Sequence, residues 1–167
     1  MSFSTAANTS ICVTCPQGKY KEAPGHPQVC VLCPANTVTV GLGAIVPSAC
    51  VCVPGRYIVL SSTNINSCQH CPANTFKVSS GNGACTLCPA NSFAPVGSNA
   101  LTVCQCLAGF TGLNVGLCAP IAQGEYKAVN GSRDCVKCVN NTMSPAASRK
   151  VTDCVCNSDF VGLPGGP

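Results

Sequence analysis

No stretch of the chain carries apolar residues at helical spacing. They come in short β-prone runs such as RYIVL at 56 to 60 and VTV at 38 to 40, separated by Gly, Pro and Asn. Such runs predict small two-stranded ribbons in a chain that is mostly loop. The larger side chains are dealt out one per loop. Tyr20, Tyr57, Phe76, Phe93 and Tyr126 stand five positions after a cysteine or, for Tyr126, after Ile121; Phe110 and Phe160 stand four after, and Val38 and Met143 hold the equivalent place. One bulky residue per loop predicts a miniature core in each, a packing role rather than ligand contact.

Composition sharpens this picture. The 167 residues include 17 cysteines, no Trp, three Tyr and five Phe. That cysteine density is typical of a disulfide scaffold, and few side chains remain to fill a large core. Nine Lys or Arg and five Asp or Glu give a net charge of +4, with no basic run. Phosphate binding needs clustered cations, so nucleic acid is not an expected partner. Low charge also removes the usual source of solubility, which attached sugar or burial in an assembly would supply.

The first ten residues, MSFSTAANTS, have neither the charged nor the apolar region of a secretory signal, and no apolar run approaches a membrane span of ~20 residues. So many disulfides could not persist in a reducing compartment. The two observations agree if the true N-terminus lies upstream.

Repetition carries most of the information. Cys12, Cys15, Cys30, Cys33, Cys50 and Cys52 are followed by Cys68, Cys71, Cys85, Cys88, Cys104 and Cys106, then by Cys118, Ile121, Cys135, Cys138, Cys154 and Cys156. The text between them recurs too: CPQGKYKEAPG at 15 to 25 returns as IAQGEYKAVNG at 121 to 131, and CPANT at 33 returns at 71. A fixed period of this kind means strung or stacked modules, each too poor in core to stand without cross-links.

Read from Cys15, six cysteines enclose five gaps, the fourth of a single residue, and a glycine-containing loop closes on Cys68. This resembles an EGF-like module. The C-x-C followed by glycine and an aromatic stands as CVCVPGRY at 50 to 57 and CQCLAGF at 104 to 110, and imperfectly as CVCNSDF at 154 to 160. There Asp159 replaces the glycine, so a left-handed backbone position would be strained or rebuilt. With C-x2-C-P and C-P-x-G-x-Y, the chain resembles the cysteine-rich EGF-like repeats of ephrin receptors, and CPQGKY is similar to the start of a tumour-necrosis-factor-receptor cysteine-rich module. The resemblance covers residues 12 to 160. It implies a small disulfide-rich fold of tandem EGF-like modules, elongated, mostly loop with short two-stranded β-ribbons. Residues 1–14 would end a preceding module, 15–68 and 69–118 form two whole ones, and 119–167 a third, incomplete one whose first cysteine is Ile121.

EGF-type pairing, if the resemblance extends so far, bonds Cys15 with Cys33, Cys30 with Cys50, Cys52 with Cys68, Cys71 with Cys88, Cys85 with Cys104 and Cys106 with Cys118. A sequential alternative pairs Cys15 with Cys30 and Cys33 with Cys50, and keeps the last loop of each module. The third module discriminates: the EGF scheme bonds Cys135 with Cys154 and orphans Cys138, whereas the sequential one bonds Cys138 with Cys154 and orphans Cys135. Cys12 and Cys156 are left over in both.

Other chemistry is thinly represented. Cys12, Cys15, Cys30, Cys33 and Cys68, Cys71, Cys85, Cys88 have near zinc-ribbon spacing, but that reading leaves Cys50, Cys52, Cys104, Cys106, Cys154 and Cys156 idle. No βαβ pattern surrounds a C-x-x-C, as a redox motif requires. His26, His70, Glu22, Glu125, Asp134, Asp153 and Asp159 are scattered, so acid–base catalysis lacks paired groups, and NINSCQHC at 64 to 71 has no acidic cluster for calcium. The expectation is a non-enzyme without cofactor or metal. N-x-[ST] sequons at Asn8, Asn130 and Asn140 are candidate glycan sites, the last two ahead of the first, and Ser, Thr and Pro allow O-linked sugar.

These readings converge on an extracellular structural repeat that self-associates into a fibre or coat or joins another extracellular protein. The resemblance extends to protist and algal surface fibres, including flagellar hairs (mastigonemes). The alternatives are a spacer or ligand-binding rod of a receptor or adhesion ectodomain, and an intracellular zinc protein.

Overall fold

The computed structural model describes residues 13–22, 29–59, 67–113, 116–131 and 134–165. It divides into two compact units, 1–51 and 52–167. Among the described residues there is no α-helix; sixteen short strands pair into eight two-stranded sheets.

One local rule builds all eight. Three residues after an opening cysteine, or after Ile121, the backbone turns left-handed: Asn36, Asn74, Asn91 and Asn141 have φ between 60° and 65°, and Gly18, Gly55, Gly109 and Gly124 between 75° and 81°. Asn and Gly tolerate that region at least cost, which is why CPANT and CPQGK serve the same turn. A short strand follows the turn, and its partner is the strand beside the next cysteine. In the first period β1 (Lys19–Tyr20) pairs with β2 (Val31–Leu32), β3 (Thr37–Thr39) with β4 (Cys50–Cys52), and β5 (Arg56–Val59) with β6 (Ser67–His70). The second period repeats this with β7 (Thr75–Phe76) and β8 (Thr86–Leu87), β9 (Ser92–Phe93) and β10 (Gln105–Cys106), β11 (Phe110–Thr111) and β12 (Ala119–Pro120). The third has β13 (Glu125–Tyr126) with β14 (Val136–Lys137) and β15 (Thr142–Met143) with β16 (Val155–Cys156). Single 3-10 turns at Pro47–Ala49, Leu101–Val103 and Val151–Asp153 precede the closing cysteine of each second ribbon.

Each disulfide closes its own ribbon. The bonds are Cys15–Cys30, Cys33–Cys50, Cys52–Cys68, Cys71–Cys85, Cys88–Cys104, Cys106–Cys118 and Cys138–Cys154. EGF-type pairing is therefore corrected for Cys15 with Cys33, Cys30 with Cys50, Cys71 with Cys88 and Cys85 with Cys104. The strand pairing explains it: opener and closer flank one ribbon, which brings Cys15 and Cys30 to a Cα separation of 5.7 Å, inside the range a disulfide spans. The expected bond of Cys135 with Cys154 is corrected in the same way. Ile121 stands where Cys71 bonds Cys85, so Cys135 has no opener and is a free thiol, and Cys138 takes Cys154.

The core differs from the expected row of aromatics. Of the bulky residues placed one per loop, only Phe76 is buried, packed with Ala94 and Cys104; Phe93, Met143 and Phe160 are exposed, and Tyr20, Tyr57, Tyr126, Phe110 and Val38 are half-buried. The interior face falls one residue later, six after the opener, at Thr39, Lys77, Ala94, Lys127 and Ser144. Successive strand residues face opposite sides, so a shift of one residue exchanges inside for outside. Asp159, which lacks the left-handed conformation of its eight counterparts, starts no strand.

Candidate functional site

The chemically distinctive places are the junctions between ribbons, two of which lie within residues 52–167. At each, the glycine turn of a third ribbon rests on the following repeat. Gly55 N–H donates to the Lys77 carbonyl and the Gly55 carbonyl accepts from Cys71 N–H, both at 2.9 Å; Gly109 does the same with Lys127 at 2.9 Å and Ile121 at 3.0 Å. Both glycines are buried, and a Cβ on either would lie 2.4 Å from a carbonyl oxygen, that of Gly97 or Ala147. Only glycine meets the close approach and the left-handed turn together.

A lysine locks each junction. The Lys77 ammonium donates to the carbonyl of Arg56 at 2.8 Å and to that of Gly81; Lys127 donates to that of Phe110 at 2.6 Å and to that of Gly131. Lys127 is 1% exposed and Lys77 8%, values rare for lysine. Burial pushes both pKa values down, and for Lys127 the nearby Cys135 sulfur pulls the other way. The sequence reading missed these lysines; the signal was there in the recurrence of K at the same place in KYK, TFK and EYK.

The remaining predicted residues can be placed individually. Cys156 is a second half-buried free thiol; Cys12, His26 and Asn8 lie outside the described residues. Asn130 and Asn140 are both exposed, and the Asn130 Oδ1 accepts from Ala108 N–H at 2.9 Å. His70 ends β6 with its Nε2 2.8 Å from an Arg56 nitrogen. Two backbone N–H groups, of Arg149 and Lys150, donate to Asp153 at 2.9 Å and hold its carboxyl below the usual carboxylate range. The zinc-spaced Cys15, Cys30, Cys33, Cys68, Cys71, Cys85 and Cys88 all sit in disulfides, where sulfur is no thiolate ligand. Among the described residues no three His, Cys, Asp or Glu gather as a metal site, and no helix is long and apolar enough to cross a membrane.

The sequence profile of the family described as tyrosine-protein kinase ephrin type A/B receptor-like matches residues 2–50 and 59–106, more than half of the chain. The chain belongs to this family. Its first ephrin-receptor-like segment ends at Cys50, one residue before the first compact unit does. The chain is 40% identical over 99 residues to cysteine repeat modular protein A of Toxoplasma gondii, covering 58% of this chain. It is 28% identical over 104 residues, 60% of the chain, to the mouse (Mus musculus) sushi, von Willebrand factor type A, EGF and pentraxin domain-containing protein 1. In each case it spans 3% of the relative's length. Ephrin-receptor-like repeats are cysteine-rich modules typical of extracellular proteins.

Proposed function

We propose that the chain is a structural repeat segment of an extracellular glycoprotein that assembles into a fibre, filament or cell-surface coat. The supporting observation is the repeated junction: Gly55 with Lys77 and Gly109 with Lys127 are built alike about one period apart, so the first two repeats present their successors with the same surface. A rule that propagates repeat by repeat suits a wall or shaft, because stability then depends on nearest neighbours and not on total length. N-linked sugar on exposed Asn130 and Asn140, and O-linked sugar on Ser and Thr, would offset the sparse charge.

The receptor or adhesion reading draws its support from the family match and from the mosaic relative of the mouse. Sedimentation and electron microscopy of the native glycoprotein separate the two. The fibre reading expects polymers with one fixed axial rise; a particle that stays monomeric at every concentration overturns it and leaves the spacer role. Enzymatic removal of N-glycans should shift the masses of the peptides carrying Asn130 and Asn140.

A further inference from the structure

The two filled junctions share a seat. Gly97 N–H donates to the Cys71 carbonyl at 2.8 Å and Lys77 N–H to the Ser98 carbonyl at 3.1 Å; Ala147 pairs likewise with Ile121, and Lys127 with Ser148. On that seat lies the glycine turn of the preceding third ribbon, whose carbonyl satisfies the N–H of Cys71 or Ile121.

The unit 1–51 contains the same seat. Gly43 N–H donates to the Cys15 carbonyl at 2.8 Å and Lys21 N–H to the Ala44 carbonyl at 3.0 Å, atom for atom the pattern of the other two. Among the described residues no ribbon lies on it. It is an open groove of about 480 Å³ lined by Val13, Cys15, Gly43, Ala44, Ile45 and Val46 among others, with Val13 83% and Ile45 71% exposed. Cys15 is buried, yet its N–H finds no acceptor among the described residues, whereas the N–H groups of Cys71 and Ile121 have theirs. Buried N–H groups are ordinarily paired, and the two filled seats show the acceptor that this position takes.

We infer that this groove is the docking site for the C-x-C-x-x-G ribbon of another repeat of the same class, whose glycine carbonyl accepts from Cys15 N–H. Continuity with the two filled seats identifies the occupant. A second copy of this chain does not fit, because its turns at Gly55 and Gly109 are already seated in their own chain. Its remaining C-x-C segment, 154 to 160, carries Asp159 where the glycine belongs and lacks the left-handed turn. The inference is independent of whether the chain serves a fibre or a receptor.

Amide hydrogen exchange tests it. In the 167-residue protein, after correction for intrinsic rates, Cys15 N–H should exchange at least tenfold faster than Cys71 and Ile121 N–H. A chimera with residues 71–118 placed ahead of Val13, so that Cys118 replaces Cys12, should slow Cys15 at least tenfold, and Gly109→Ala in the added copy should restore fast exchange. Equal protection of all three amides in the 167-residue protein overturns the inference, as does an unchanged Cys15 rate in a chimera whose Cys71 and Ile121 amides stay protected. A measurement without the chimera covers its failure to fold. Gly55→Ala should unseat the turn that opens β5 and bring Cys71 to the Cys15 rate, and an unchanged Cys71 rate overturns the seating argument.

Discussion

Lys77 and Lys127 are costly residues to bury, and each is retained because its nitrogen reaches two backbone carbonyls that the bends of the chain leave pointing inward. Lys77→Met keeps the aliphatic bulk but strands those carbonyls, which should cost about 1–3 kcal/mol in denaturant unfolding. The pH dependence follows from the lowered pKa. The unfolded lysine keeps its proton up to the ordinary value of 10.5, while the buried one gives it up earlier. Across that window the unfolded state binds more protons, so stability contributed at this site rises with pH. A neutral amine still has two N–H groups for two carbonyls. With Cys12, Cys135 and Cys156 replaced by Ser to prevent thiol exchange, wild-type stability should climb relative to Lys77→Met as pH approaches 10.5. A constant difference would contradict the assignment.

Within an element, sequence reading and structure part company in an instructive way. The ribbons, their disulfide closure and the glycine after C-x-C were legible, since each rests on a local signal: β-prone runs, cysteine spacing and a residue type suited to positive φ. The pairing was not, because spacing alone satisfies both schemes and only the strand partners decide which sulfurs meet. The aromatic rows misled for a related reason. In strands of two or three residues there is no long alternation to fix the phase, and the inner position went to Lys, Thr, Ser and Ala. Ile121 tests the local rule: Ile121→Cys should form an eighth disulfide with Cys135, raise stability by ~3 kcal/mol for a loop of this size, and remove the Cys135 thiol from alkylation. Continued labelling of Cys135 under native conditions would show that its ribbon is built differently.

For the whole molecule, local closure means that damage should stay local until many bonds are lost. Cys88→Ser with Cys104→Ser opens one loop, whose bond spans a sequence separation of 16. It should cost ~3 kcal/mol and loosen the cluster of Phe76, Ala94 and Leu101. Amide protection in β5 and β6, closed by Cys52–Cys68, should persist. Crossed EGF-type bonds would instead link successive ribbons and spread the loss. Seven such loops together contribute more than the ~5–15 kcal/mol net stability of ordinary domains, so full reduction should unfold the chain rather than loosen it.

The connectivity itself is the most direct thing to measure. Alkylation of free thiols on the native protein, followed by proteolysis without reduction and mass spectrometry of the linked peptides, should recover Cys15 with Cys30, Cys71 with Cys85 and Cys138 with Cys154, and should find Cys135 carrying the alkyl label. Peptides joining Cys15 to Cys33, Cys71 to Cys88 or Cys135 to Cys154 would contradict the account.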